Sequence, residues 1–175
     1  MQKFLIPSTQ SDKICAFTGH RLQKLGWGFD TSDPHFAQLR QRLFSELLTL
    51  VSDGYTRFIS GGAQGFDLIA AEEVLKIRQQ LPFVELNMAL PCPNQIYNWT
   101  SESVHSYNTV LKAANSVKYI SDSYAPGCMF MRNRYMVDNC NLVYALYNGT
   151  PGGTASTVNY ARFKGVPVRF FPLNK

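Results

Sequence analysis

One pattern constrains this chain more than any other: short apolar runs that end in glycine turns, each turn opening an amphipathic helix. Phe58-Ile59-Ser60 runs straight into Gly61-Gly62-Ala63-Gln64-Gly65-Phe66-Asp67, and Leu142 to Leu146 is followed by Gly149-Thr150-Pro151-Gly152-Gly153-Thr154. A buried strand that feeds a helix through a tight turn can return only as a parallel neighbour, by a right-handed crossover. The repeat of that unit predicts an α/β fold: a Rossmann-like, doubly wound, mostly parallel sheet with helices on both faces.

The remaining elements fit the same plan. Lys13 to Thr18 reads as the first strand, closed by Gly19. Asp33-Pro34 supplies an N-cap and a proline at the first helical position, and Phe36, Leu39, Leu43, Leu47 and Leu50 then recur at helical spacing until Gly54. A helix over 66–80 is expected to bury Leu68, Ala71, Leu75 and Ile77 and to turn Glu72, Glu73, Lys76 and Arg78 to water. Strands are expected at 83–90, 117–120 and 166–171, and helices over 101–114, over 129–139 and from the second glycine turn to Gly165. Six strands and five helices in 175 residues make a single domain over 1–175, with residues 1–12 as a loosely ordered arm.

Composition removes several function classes. With 45% hydrophobic and 17% charged residues the chain is neither a disordered tail nor a coiled coil. It has no apolar run of membrane-spanning length and no secretory signal, so a cytoplasmic location is expected. Cys15, Cys92, Cys128 and Cys140 are scattered without a C-x-x-C pair, which reads as reduced structural thiols, with no metal site. The net charge of +5 arises wholly in the last third, where Arg132, Arg134, Arg162, Lys164, Arg169 and Lys175 face Asp138 alone. That excess favours an anionic partner: a phosphate-bearing ligand or nucleic acid.

The glycine turns carry the functional expectation. Ligands of open parallel sheets bind at the carboxyl ends of the strands, and uncapped amides at a helix start favour phosphate. Candidate ligand-binding residues are Gly19, His20 and Arg21 after the first strand, Gly61, Gly62, Ala63, Gly65 and Asp67 in the first turn, Arg132 and Asp138, and Gly152, Gly153 and Thr154 in the second turn. Neither turn is G-x-G-x-x-G, so the NAD dehydrogenase fingerprint is missing. Arg132 and Arg134 lie roughly 200° apart around a helix, so one belongs to a site and the other to the surface. Tyr97 and Trp99 are either rings on which a base stacks or ordinary aromatics of the core and surface. Catalytic candidates are restricted to Arg132, Asp67 and Asp138.

Taken together, Thr18-Gly19-His20-Arg21 with Lys24-Leu25, the run 58–67 with Ala70-Ala71-Glu72, Pro91-Cys92 with Gln95 and Trp99, Arg132 to Asp138, and Gly149 with Gly152-Gly153-Thr154 resemble the YpsA-like branch of the SLOG superfamily. That group includes the LOG phosphoribohydrolases and the Smf/DprA proteins. The resemblance covers nearly the whole chain from residue 13 onward. It implies a Rossmann-like fold that binds a nucleotide or an ADP-ribose-like molecule without a required cofactor, in a homo-oligomer of bacterial or phage origin.

LOG enzymes read M-x-x-R-K-x-x-M and P-G-G-x-G-T-x-x-E in the matching regions. This chain keeps Met129, Arg132 and Met136, and Pro151-Gly152-Gly153, but has Asn133, Ala155, Ser156 and Asn159 at the departures. Ribosyl cleavage needs a carboxylate, which Asn159 does not supply. Sensing or sequestering a nucleotide is therefore the expected function, with a nucleotide N-glycosidase and a DNA-binding protein as the alternatives.

Overall fold

The computed structural model describes residues 12–21, 24 and 32–173. The arm expected over 1–12 lies outside them apart from Asp12. In chain order the elements are β1 (Lys13–Gly19), α1 (Pro34–Ser52), β2 (Tyr55–Ser60), α2 (Phe66–Gln80), β3 (Glu85–Leu90), α3 (Ser101–Ala113), β4 (Ser116–Tyr119), α4 (Cys128–Asp138), β5 (Leu142–Leu146), α5 (Gly153–Phe163) and β6 (Val168–Phe170). They form one six-stranded sheet in the order β4-β3-β2-β1-β5-β6. Every neighbouring pair is parallel.

Strand order follows from where the chain turns back. From β1 it steps outward through β2 and β3 to β4, then returns to lay β5 on the free side of β1. This reversal places a switch point between β1 and β5, where the two loops leaving the strands diverge and open a crevice. Cys15 pairs with Leu142 and Gly19 with Leu146, so both strands end level at the rim.

Alternation along each strand makes the two faces unequal. Cys15 and Phe17, Phe58, Leu86, Met88 and Leu90, and Leu142, Tyr144 and Leu146 pack on one side with the apolar stripes of α1, α2 and α3. Phe17 and Phe58 stack at 5.6 Å between ring centres, and Phe66 meets Phe17 edge-on. Each such buried ring contributes about 1.5–3 kcal/mol. On the other side the sheet presents Ala16, Ile59, Ala89 and Val143, packed with Met136, Val137 and Ala161 of α4 and α5. Those short side chains let α4 lie close against the sheet.

The sequence expectations meet this architecture well at α1, where Asp33 caps the amide of His35 and Leu39, Leu43, Leu47 and Leu50 are buried. One expectation for α2 is wrong. Glu73 is only 2% exposed, bound by Arg40 and Lys76 at 2.6 and 2.9 Å. Helix α2 is packed by α1 on one flank and α3 on the other, so little of its circumference faces water. Among the described residues no helix is long and apolar enough to cross a membrane.

Candidate functional site

Where β1 ends, Gly19 packs so closely on Phe66 that a Cβ there would strike the ring. The residue is glycine because the start of α2 needs the space. His20 follows, buried, its amide donating to Leu146 at 3.1 Å and its carbonyl accepting from Phe66 at 3.4 Å. The backbone of His20 thus ties β5 to α2. Its ring lies 3.5 Å from the Thr150 hydroxyl and beside Tyr147. Burial holds the imidazole below its usual pKa, partly offset by a hydrogen bond with Asn148. Arg21 is exposed on the rim, and Lys24 reaches across to donate to the Pro151 carbonyl at 3.2 Å.

The turn between β2 and α2 is folded upon itself. The Ser60 hydroxyl donates to the Asp67 carbonyl at 2.8 Å and accepts from the Gly62 amide at 3.1 Å. Gly62 sits at φ +60°, packed against Met88, Leu90 and Gln95, and the Gln95 amide donates to the Gly62 carbonyl at 3.1 Å. Arg132 donates to the Gly61 carbonyl, and a Cβ on Gly61 would collide with that guanidinium and crowd Asp67. Asp67 is 5% exposed and Arg132 4%.

Burial pushes the Asp67 carboxyl up to about 6, against the pull of the Arg132 charge and hydrogen bonds from the amides of Ala63, Gly19 and Gly61. The Gly61 and Ala63 amides of the turn are therefore committed to the protein's own carboxylate, and that of Gly62 to Ser60. Gly61, Gly62 and Gly65 are buried beneath the surface, and it is Ala63, Gln64 and Asp67 that border the cleft. Those three glycines, expected as ligand contacts, do not line the cleft.

The turn between β5 and α5 has the opposite character. Gly149 and Gly152 adopt φ +90° and +144°, and residues 149 to 153 are exposed. Asn148 organises the loop, its side-chain oxygen accepting from the Thr150 amide at 3.1 Å and hydroxyl at 2.7 Å. Helix α5 starts without a side-chain cap, and a Cβ on Gly153 would meet nothing within 4 Å. Gly153 and Thr154 open onto the cleft.

Helix α4 closes the far wall, contributing Met129, Arg132 and Asn133, with Asn133 accepting from Arg132 Nε at 2.7 Å. Arg134 points away, as the helical angle predicts, and lies over the rings of Phe130 and Tyr160. Asp138 is not in the cleft. It ends α4 near the amino-terminal edge of the sheet, paired with Lys164 at 3.1 Å and bonded by the Tyr160 hydroxyl. The helix runs antiparallel to the strands, so residues six positions apart reach opposite rims.

The resulting cleft has a volume of about 280 Å³. It gathers Gly19, His20, Arg21, Ala63, Asp67, Arg132, Gly153 and Thr154 of the sequence candidates, but not Asp138, Gly152 or the glycines of the first turn. Lys24, Gln95 and Trp99, which the family motif contains but to which sequence reasoning assigns no settled role, line it too. Tyr97, 80% exposed, does not. The two turns share one rim, though β1 stands between their strands instead of the strands being adjacent.

Comparison with known proteins agrees with this architecture. The chain is 27% identical over 146 residues to a UPF0398 protein of Halalkalibacterium halodurans, covering 82% of this chain and 77% of the relative. It is 26% identical over 143 residues to the SPbeta prophage-derived protein YoqJ of Bacillus subtilis, covering 74% and 84%. Among solved structures it resembles DNA processing protein A from Helicobacter pylori, with a TM-score of 0.62 and 21% identity over 94% of this chain and 67% of that one. The same protein from Streptococcus pneumoniae gives a TM-score of 0.63 at 14% identity, over 93% of this chain; this chain spans about half its length, 51%. At such identities the likeness is one of fold. The model of the YspA SLOG family matches residues 15–164, and the chain belongs to that family.

Proposed function

We propose that the cleft binds a nucleotide or nucleotide-derived phosphate ligand, and that the protein senses or sequesters it. The observation that carries this reading is the uncapped start of α5, where Gly153 and Thr154 face a cleft that also holds Arg21, Lys24 and Arg132. Free amides at a helix start and nearby cations attract phosphate. Trp99 offers an apolar wall for a base, and Gln95 and Asn133 offer polar groups to orient it. The volume sits at the lower end of ligand clefts, about 300–1,000 Å³, which favours a mononucleotide over an ADP-ribose-like molecule. The Helicobacter pylori relative in fold binds single-stranded DNA, a polymer whose repeating unit has the same chemistry.

Denaturing the purified protein and identifying the small molecules released by mass spectrometry tests this directly. A nucleotide in stoichiometric amount is the expected outcome. Absence of any phosphate compound, together with no calorimetric binding of nucleoside monophosphates, contradicts it.

A second reading, a nucleotide N-glycosidase, is favoured by one feature. Asp67 is a carboxyl in the cleft with its pKa raised to about 6, suited to acid–base work. Asn159 is exposed on α5 and does not border the cleft, so Asp67 would have to act alone. Incubation with a panel of nucleotides and chromatography for free base decides it: liberated base supports turnover, and tight binding without product leaves binding as the function.

A further inference from the structure

The outward face of α4 and α5 carries a cluster of rings and cations that the cleft does not use. Phe130 is 42% exposed and Phe163 83%. The Arg134 guanidinium lies 4.3 Å from the Phe130 ring centre and 4.9 Å from that of Tyr160. Tyr160 and Phe163 stack at 6.4 Å with 30° between their planes, and Lys164 Nζ stands 5.9 Å from the Tyr160 centroid. Arg162 is exposed in the same last turn of α5. A phenyl ring four-fifths in water, as Phe163 is, contributes almost nothing to folding, and its contiguity with the partly exposed rings of Phe130 and Tyr160 marks an interaction surface.

We propose that this face is a stacking platform for single-stranded nucleic acid, separate from the cleft. Rings interleaved with Arg and Lys are what a sequence-tolerant single-strand site requires, because every base has a π-face and every phosphate a charge. Charge decides the class of partner. Lys164 is paired with Asp138 at 3.1 Å, whereas Arg134 makes no ion pair among the described residues. An apolar protein surface docked here would bury the Arg134 charge without an anion to pair it, at a cost of several kcal/mol. A duplex keeps its base faces stacked internally and offers Phe163 nothing to cover. Linear sequence hides the platform, since Phe130 and Arg134 lie one turn apart on one helix and Tyr160, Phe163 and Lys164 on another.

The test is fluorescence anisotropy of a labelled oligothymidylate, titrated with the full chain from about 50 to about 200 mM salt. Binding that weakens steeply with salt is expected. Phe163→Ala should weaken it about tenfold, the loss of one stacked base, with an unchanged thermal melt because the ring is exposed. Arg134→Ala should weaken it several-fold and flatten the salt dependence. Phe163→Ala should bind adenosine monophosphate in the cleft as the parent does, so loss of mononucleotide binding in both chains would sink the cleft assignment and leave the platform standing. No oligonucleotide binding at low salt, or binding untouched by both variants, overturns the proposal. Sedimentation showing a self-associated parent and a monomeric Phe163→Ala variant would do so too, by giving the face to a second copy of the chain.

Discussion

Two glycine turns on one rim of the sheet look alike in sequence and behave as opposites. The first, between β2 and α2, is sealed: its amides serve Asp67 and Ser60, its carbonyls are taken by Arg132 and Gln95, and its glycines make room for those side chains. The second, between β5 and α5, is open, with exposed glycines, no capping side chain and free space at Gly153. Glycine density therefore reports backbone freedom and close approach, and the approaching group can be the protein's own arginine as readily as a phosphate. The sealed turn builds a rigid charged floor; the open turn is left to meet a ligand.

The largest test of that contrast is to break the floor. Arg132→Ala removes the cation beside a buried carboxyl, and a loss of about 3–5 kcal/mol in urea-monitored unfolding is expected. A loss below about 1 kcal/mol would mean the first turn does not depend on the pair. Next in size is the pH dependence of Asp67. Its pKa rises on folding from 3.8 to about 6, so its burial costs nothing below 3.8, where both states are protonated. The penalty grows as pH rises from 3.8 towards 6 and is complete above it, reaching about 3 kcal/mol. The stability of the parent minus that of Asp67→Asn should therefore fall by this amount between about pH 4 and 7, and a flat difference would show that the carboxyl stays ionised throughout.

A direct pairing of the turns comes third. Gly61→Ala forces a Cβ into the guanidinium and should cost about 1–3 kcal/mol. Gly153→Ala enters open space and should stay within about 0.5 kcal/mol of the parent. Equal effects would erase the distinction. Smallest is the contribution of one rim cation: Lys24→Ala should lower affinity for adenosine monophosphate about tenfold with unchanged stability, read by calorimetry.

Much of the fold was legible because its signals are local. Asp33-Pro34, the leucine stripe of α1 and the apolar run of β5 each specify an element without tertiary help. The site was legible in part, for physical reasons that differ by residue. Thr18 to Arg21 and Gly152 to Thr154 lie at strand ends and helix starts, which a parallel sheet always brings to one rim. Asp138 lies away from the cleft because a helix that feeds a parallel strand ends at the amino edge of the sheet, a consequence of the expected topology that its charge and motif alone do not express. Glu73 misled because its burial is set by α1 and α3, elements distant along the chain. Arg132 borders the cleft, yet its bond to Gly61, which decides the fate of the whole first turn, spans 71 residues and follows only from the thin face of the sheet.

Backbone amide resonances followed by two-dimensional NMR during titration with adenosine monophosphate test the central claim most directly. The amides of Gly153 and Thr154 should shift saturably, while those of Gly61 and Gly62, already engaged or buried, stay in place. Shifts centred on the first turn, or none at the start of α5 under saturating ligand, would contradict the assignment of the open turn as the phosphate site.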